Sequence, residues 1–276
     1  MSLPRGRYLA SWSNFSSALP GFLRVTGFLQ PSSLWELDDR NSALAEVKSL
    51  APKFDASKEI VEQFEATSTD GTRIPYFVVH PKAMRLDGNN PTILYAYGGF
   101  QVSLTPSYSA DIGKLWLEKG GVYVLANIRG GGEFGPAWHE AGLKTHRQII
   151  YDDFAAVARD LIARRITNLR RLGIQGGSNG GLLMGVEFTQ HPELWHAVDM
   201  QVPLLEYPEP LIWTTTTDDR VGPQHARKFA ARLSEYGIPY LFYEVTEGGH
   251  GSGANLAEKA HTTALEMTYF ARKLMD

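Results

Sequence analysis

Short apolar runs alternate with helical patterns along the chain from about residue 57. Several of the runs are continuously apolar, as in strands that are covered on both faces. The strand candidates lie at residues 73–80, 92–97, 122–127, 172–176, 197–202, 211–216 and 240–245. Apolar residues recur every three or four positions at 148–166, 223–236 and 254–275, which predicts helices. This alternation predicts an α/β fold with a mostly parallel sheet flanked by helices.

Residues 1–56 have a different pattern. Aromatic and β-branched residues cluster at 8–12, 22–28 and 33–37, and turn-forming pairs separate these clusters. The pattern predicts a short β-rich appendage without helical periodicity. It is too short for an independent β domain, so we expect it to pack on the α/β domain of residues 57–276.

A glycine cluster surrounds one serine directly after the strand candidate at 172–176. The stretch from Gly176 to Gly180 matches G-x-S-x-G with Ser178 at its centre, the nucleophile elbow of α/β-hydrolases. The serine of such an elbow has a strained backbone, and larger side chains two residues away would collide with the neighbouring strand and helix. The alternative is an ordinary serine in a glycine-rich turn.

Two further strand candidates end next to residues that could complete a catalytic triad. Asp218 and Asp219 follow the run at 211–216, and His250 follows the run at 240–245. Serine, acid, histidine is the chain order of α/β-hydrolase triads. Asp218 is the favoured triad acid and Asp219 the expected cap of the helix that begins near Pro223, although spacing alone leaves the choice open. The alternatives are a capping aspartate and an exposed loop histidine.

Composition narrows the classes of function. The net charge of −3 in 276 residues gives no electrostatic basis for binding nucleic acid or an anionic membrane. The chain has no cysteine, which excludes disulfides, thiolate catalysis and cysteine-bound metals. No apolar run approaches the roughly 20 residues that span a bilayer. Polar residues interrupt the start of the chain, which lacks the apolar core of a signal peptide. We therefore expect a soluble, cytoplasmic protein.

Several motifs together resemble the catalytic domain of the prolyl oligopeptidase family of serine peptidases. They occur in the family's order at residues 95–100, 126–135, 176–183, 218–221 and 248–251. The resemblance covers residues 60–276 and implies an α/β-hydrolase fold. It also implies that Ser178 is the nucleophile, Asp218 the orienting acid and His250 the general base.

The resemblance also assigns roles around the nucleophile. The tyrosine hydroxyl of the family's oxyanion hole corresponds to Tyr97, and its backbone N–H donor corresponds to Asn179. An arginine that contacts substrate in the family corresponds to Arg220, and Phe100 remains as an aromatic wall of the substrate site. The resemblance implies no metal and no cofactor.

Two departures from the family affect the expected substrate. Residues 1–56 resemble only the end of the family's β-propeller, and only 40 positions (218 minus 178) separate Ser178 from Asp218. Relatives carry helices in that interval, with aromatic residues that hold the substrate proline. The sequence thus favours an open site and a carboxylesterase-like activity on small or short-chain esters. The alternative is a serine-type oligopeptidase that cleaves short, proline-containing peptides.

The short interval between Ser178 and Asp218 should also leave apolar surface exposed where relatives carry helices. We therefore expect a homo-oligomer that covers this surface.

Other hypotheses have weaker support. The stretch 130–135 satisfies G-x-G-x-x-G, but the acids that follow, Asp152 and Asp153, open a helix rather than end a strand, which argues against NAD. His139-Glu140 lacks the second histidine of a zinc motif, and no further histidine completes a metal site. A non-catalytic remnant that serves as a binding module is a further alternative.

Overall fold

The computed structural model describes residues 9–13, 21–38, 43–199, 207–251 and 253–276. The strands of the described residues are β1 Leu9–Ser13, β2 Gly21–Gly27, β3 Gln30–Asp38, β4 Ala43–Ser49, β5 Glu59–Thr67, β6 Arg73–Pro81, β7 Thr92–Tyr95, β8 Val122–Ala126, β9 Leu172–Gln175, β10 Ala197–Asp199, β11 Leu211–Thr215 and β12 Leu241–Val245. The helices are α1 Ala110–Leu115, α2 Pro136–Glu140, α3 Gln148–Ala163, α4 Asn179–Gln190, α5 Gln224–Glu235 and α6 Leu256–Leu274.

The larger sheet has the strand order β12-β11-β10-β9-β7-β8-β6-β5. In this spatial order, each strand from β12 to β8 runs parallel to its neighbour. The last two strands, β6 and β5, are added by antiparallel pairing. This confirms the predicted α/β fold. Because parallel strands end at the same edge, the segments that follow β7, β9 and β11 meet there. Tyr97, Ser178 and Asp218 are on those segments.

Helices bury apolar stripes on the sheet. In α3, Ile150, Phe154, Val157 and Leu161 form the predicted stripe, and all four are buried. Each such side chain contributes about 1.5–3 kcal/mol when it leaves water. The predicted helix at 148–166 is too long, because Arg165 has a φ of 58°, a left-handed conformation that ends the helix.

The first four strands form a separate antiparallel sheet, as the β-rich pattern predicts. Phe28, in the turn between β2 and β3, packs with ring centroids 5.6 Å from Phe77 and 6.5 Å from Tyr123 of the larger sheet. The sequence prediction missed β4 and β5. Most side chains of β4 are exposed, so no apolar alternation marks it. The division into two domains at residue 56 stays a prediction.

The connection between β10 and β11 is short. Asp199 pairs with Leu211 in parallel register, so residues 200–210 make the whole crossover. Parallel crossovers usually need a dozen or more residues. The predicted strand at 197–202 is observed as β10 up to Asp199, and its remaining residues lie outside the described ranges.

Candidate active site

Ser178 lies in a strained turn between β9 and α4. Its φ of 56° and ψ of −120° are unusual for a residue with a side chain. A Cβ atom on Gly176 would lie 2.5 Å from the Gly180 carbonyl oxygen, and one on Gly180 would lie 3.0 Å from that of Ala96. The first distance excludes a side chain at Gly176, and the second leaves little room for one at Gly180, as the strand, turn and helix of the predicted elbow require. Such a strained residue costs on the order of 1–3 kcal/mol and is typical of functional sites.

Asp218 and His250 form a direct pair. The His250 Nδ1 atom lies 2.9 Å from Oδ2 and 3.1 Å from Oδ1 of Asp218. Oδ1 also accepts the backbone N–H groups of Arg220 at 3.0 Å and Val221 at 2.9 Å. Burial raises the pKa of Asp218, but hydrogen bonds from the Val221 backbone, His250 and the Arg220 backbone outweigh it, so this pKa lies below its ordinary value. The carboxylate is therefore ionised and oriented toward the imidazole.

One cavity of about 650 Å³ joins this pair to the serine elbow. Ser178, Asp218, His250 and Tyr97 all line it. Within the described part of the chain, no hydrogen bond joins Ser178 to His250, so the contact between Oγ and Nε2 is a proposal. Hydrogen bonds of this kind are often long before substrate binds.

The side chain of Asn179 connects the two segments that carry the predicted oxyanion donors. Its Nδ2 donates to the Tyr97 carbonyl oxygen at 2.7 Å, and its Oδ1 accepts from Arg147 at 2.5 Å. Arg147 is itself held by a 3.2 Å hydrogen bond from its Nε to the Tyr151 hydroxyl. The two contacts fix the orientation of the Asn179 amide beside its own backbone N–H. Arg147 is not predicted from the sequence, because its partner lies 32 positions away and no local pattern marks the contact.

The glycine motif at 130–135 allows a close approach between two backbone segments. Gly130 has a φ of 87°, and a Cβ there would lie 2.6 Å from the Gly98 carbonyl oxygen. The neighbouring Arg129 is buried and binds Asp153, with Nε–Oδ2 and Nη2–Oδ1 distances of 2.8 and 2.6 Å, and it also contacts Asp70. Asp153 therefore anchors an arginine and cannot also face a ribose, which argues against a dinucleotide site.

Three other residues singled out in the sequence, Phe100, Asp219 and Arg220, lie at the surface. Phe100 is 72% exposed and Arg220 is exposed, and neither lines the cavity. Their contact with substrate stays a prediction. The expected cap at Asp219 is wrong: Pro223 occupies the N-cap of α5 and no side chain caps that helix. Asp218 accepts the backbone hydrogen bonds of this turn instead.

His139, next to Glu140 in the incomplete zinc motif, contacts the glycine loop. His139 lies with Nδ1 2.7 Å from the Gly130 carbonyl oxygen, which places it against the glycine loop. Among the described residues, no group of three or more histidine, aspartate or glutamate side chains could hold a metal ion. The described helices also include none with the length and apolar character of a membrane span.

This arrangement defines the class of protein as an α/β-hydrolase, because the strained serine follows a central parallel strand and the acid and histidine follow later strands in that class's order. A sequence model of the prolyl oligopeptidase family matches residues 106–207 and 202–276. The chain belongs to the prolyl oligopeptidase family.

Individual relatives agree with this assignment. The chain is 49% identical to "Uncharacterized peptidase y4nA" of Sinorhizobium fredii, over 96% of this chain and 45% of the relative. It is 31% identical to a prolyl endopeptidase of Elizabethkingia miricola, over 84% of this chain and 39% of the relative. Among solved structures, a post-proline cleaving enzyme from Rickettsia typhi has a TM-score of 0.90 at 34% identity, over all of this chain and 46% of that one. The chain thus spans less than half the length of the relatives it matches.

The comparisons also bear on the short crossover. The alignment with the Sinorhizobium relative is 324 positions long, so it includes at least 48 positions (324 minus 276) at which this chain has no residue. The two family matches meet at residues 202–207, between β10 and β11. The family match is therefore divided where the structure has its shortest parallel connection, between β10 and β11.

Proposed function

We propose that this chain is a serine-type peptidase that cleaves short peptides through an acyl-enzyme. The observation that carries the proposal is the His250–Asp218 pair, which lines the same cavity as the strained Ser178. In this mechanism His250 takes the Ser178 proton as Oγ attacks the scissile carbonyl carbon, and then delivers it to the leaving amine. Asp218 holds the imidazole tautomer and stabilises the transient imidazolium.

The developing oxyanion would be held by the Tyr97 hydroxyl and the Asn179 backbone N–H. One donor of this kind is worth about 3–4 kcal/mol in the transition state. The contact from the Asn179 side chain to the Tyr97 backbone supports this pairing, because it ties the two donor segments together. No cofactor or metal takes part in the proposed steps.

The sequence alone favours an esterase, whereas the relatives support a peptidase. The relatives from Elizabethkingia miricola and Dictyostelium discoideum are named prolyl endopeptidases, and one from Galerina marginata is named a prolyl oligopeptidase. An acyl-enzyme route also accepts esters, whose alkoxide leaves more readily than an amine. We therefore propose peptides as the substrates and treat ester turnover as a secondary activity of the same serine.

A fluorophosphonate probe and a substrate panel test this function. The probe should label the wild-type chain and fail on Ser178→Ala, whereas Ser107→Ala, which removes another hydroxyl from the cavity wall, should be labelled normally. Short peptides with and without proline, together with p-nitrophenyl esters, report the activity. Labelling that persists in Ser178→Ala would indicate a different nucleophile and contradict the mechanism, whereas a wild-type chain that is not labelled would favour a non-catalytic role. Fast ester turnover without peptide cleavage would restore the esterase hypothesis.

A further inference from the structure

The segment that carries Tyr97 is strained where it follows β7. Phe100 and Gln101 have φ angles of 53° and 57°, a left-handed conformation that is unusual for residues with side chains. Strained residues of this kind persist only when the surrounding contacts hold them. The position of Tyr97 therefore depends on contacts from neighbouring segments.

The Asn179 side chain supplies one such contact. It is buried, with 8% exposure, and its Nδ2 donates to the Tyr97 carbonyl oxygen at 2.7 Å. A Cβ atom on Gly99 would lie 2.4 Å from Nδ2, so the amide fills the space that a side chain at Gly99 would need. Because Asn179 is the first residue of α4, its backbone N–H has no acceptor within the helix, and in the described part of the chain it donates to no other group. One residue thus carries a free N–H and the side chain that holds Tyr97.

Arg147 holds the other side of this amide. Its Nη2 donates to the Asn179 Oδ1 atom at 2.5 Å, and its Nε donates to the Tyr151 hydroxyl at 3.2 Å. Arg147 is the N-cap residue of α3, and Tyr151 lies in the first turns of the same helix. The guanidinium is therefore anchored to α3. Arg147 does not line the cavity, so it has no direct contact with the reacting groups.

The charge of Arg147 strengthens this chain of contacts. Its hydrogen-bond acceptors among the described residues, the Asn179 amide and the Tyr151 hydroxyl, are uncharged. A hydrogen bond from a cation to an amide oxygen is stronger than one between neutral groups, and it polarises the amide so that its NH₂ group donates more strongly. The guanidinium therefore reinforces the hydrogen bond from Asn179 to Tyr97.

On the basis of the proposed acyl-enzyme mechanism, we propose that Arg147 is a positioning residue of the oxyanion hole. Through the Asn179 side chain, it sets the separation between the Tyr97 hydroxyl and the Asn179 backbone N–H. Both donors must lie close to the oxygen as it gains charge, and a displacement of about 1 Å can cost about a hundredfold in rate. Arg147 thus acts on kcat without contacting the substrate.

Replacement of Arg147 by methionine tests this role. Arg147→Met keeps a long apolar side chain and removes both hydrogen bonds. The rate constant of fluorophosphonate labelling should fall by about ten- to a hundredfold. The reason is that the phosphonyl oxygen enters the oxyanion hole while the Ser178 Oγ atom bonds to phosphorus, fluoride leaves and His250 takes the proton. For a peptide that the wild-type chain cleaves, kcat should fall by the same factor, whereas KM should stay within about twofold.

Arg159 provides the matched control. It lies on the same helix, and its Nη2 is 3.4 Å from Nδ1 of His191, the C-cap residue of α4. Arg159 therefore also links α3 to α4, but at the end of α4 that is remote from Ser178. Arg159→Met should be labelled at the wild-type rate. Equal losses in the two variants would mean that Arg147 only holds the helices together, and would overturn the inference.

A double-mutant cycle tests whether Arg147 acts through Asn179. Asn179→Ala keeps the backbone N–H and removes the side chain, so it should slow labelling at least as much as Arg147→Met. In the Asn179→Ala background, Arg147→Met should cause no further loss, whereas independent losses that multiply would contradict the inference. Thermal unfolding reports whether Arg147→Met is folded. If it is not, Asn179→Ala alone decides, because labelling of that variant at the wild-type rate would also overturn the inference.

These outcomes are separate from those of the proposed function. A wild-type chain that the probe does not label would overturn the hydrolase itself. Labelling that depends on Ser178 and proceeds at the same rate in folded Arg147→Met would overturn only the role of Arg147.

Discussion

Asp218→Asn should disable the proposed enzyme through the tautomer of His250. Oδ1 of Asp218 accepts two backbone N–H groups, at 3.0 and 2.9 Å, while Oδ2 faces the His250 Nδ1 atom at 2.9 Å. An asparagine must keep its oxygen on the two backbone donors, which places its NH₂ group against Nδ1. Nδ1 must then accept a hydrogen bond, so the ring proton moves to Nε2. An imidazole protonated at Nε2 cannot take the proton of Ser178.

The size of the loss follows from this geometry. The substitution keeps the shape of the side chain and both backbone hydrogen bonds, so the fold should change little. The wrong tautomer alone costs a factor of roughly 10⁴ in kcat in triad hydrolases. That factor corresponds to about 5 kcal/mol of transition-state stabilisation. KM should change little, because Asp218 is not expected to contact the substrate.

Single-turnover cleavage of an activated substrate measures this loss, and thermal unfolding checks the fold. The matched control is Asp219→Asn, since Asp219 is adjacent, exposed and does not cap α5. It should retain wild-type kcat. If Asp218→Asn keeps more than a tenth of the activity, or if both variants lose activity equally, the proposed role of the Asp218–His250 pair is refuted.

Four further predictions concern stability and assembly. Asp153→Ala removes the buried anionic partner of Arg129, leaves it only the partly exposed Asp70, and should cost about 3 kcal/mol in urea unfolding, whereas Glu65→Ala, which breaks an exposed pair, should cost at most about 1 kcal/mol. Gly176→Ala should destabilise by about 1–3 kcal/mol because its Cβ meets a carbonyl oxygen, and Gly177→Ala, whose Cβ meets nothing within 4 Å, should change stability by less than about 0.5 kcal/mol. Burial raises the folded-state pKa of Glu266, a residue of α6, to about 7, so the folded state binds more protons than the unfolded state from about pH 4.3 to 7. Wild-type stability should therefore fall relative to Glu266→Gln as the pH rises through that window, and a Tm difference independent of pH would contradict this. Sedimentation should show a homo-oligomer, and a monomer at all concentrations would exclude it.

Local sequence determined much of the fold. The stripe of Phe154 and Leu161 predicted α3, because a period of three to four residues can bury one face only as a helix. The glycines around Ser178 predicted the elbow, because a Cβ on Gly176 would collide with the Gly180 carbonyl oxygen at the start of α4. The chain order of Ser178, Asp218 and His250 predicted a shared edge, because strands of a parallel sheet end on the same side.

Tertiary structure alone decided the features that join distant parts of the chain. The strands β4 and β5 are stabilised by pairing with β3 and β6, which local pattern does not record. The contacts of Arg147 with Asn179 and of Glu266 with Gln175 depend on which helix packs on which face of the sheet. Periodicity reports how a segment is buried, whereas the partner of a polar side chain is set by the arrangement of the whole sheet. The orientation of the candidate site was therefore visible only in the folded chain.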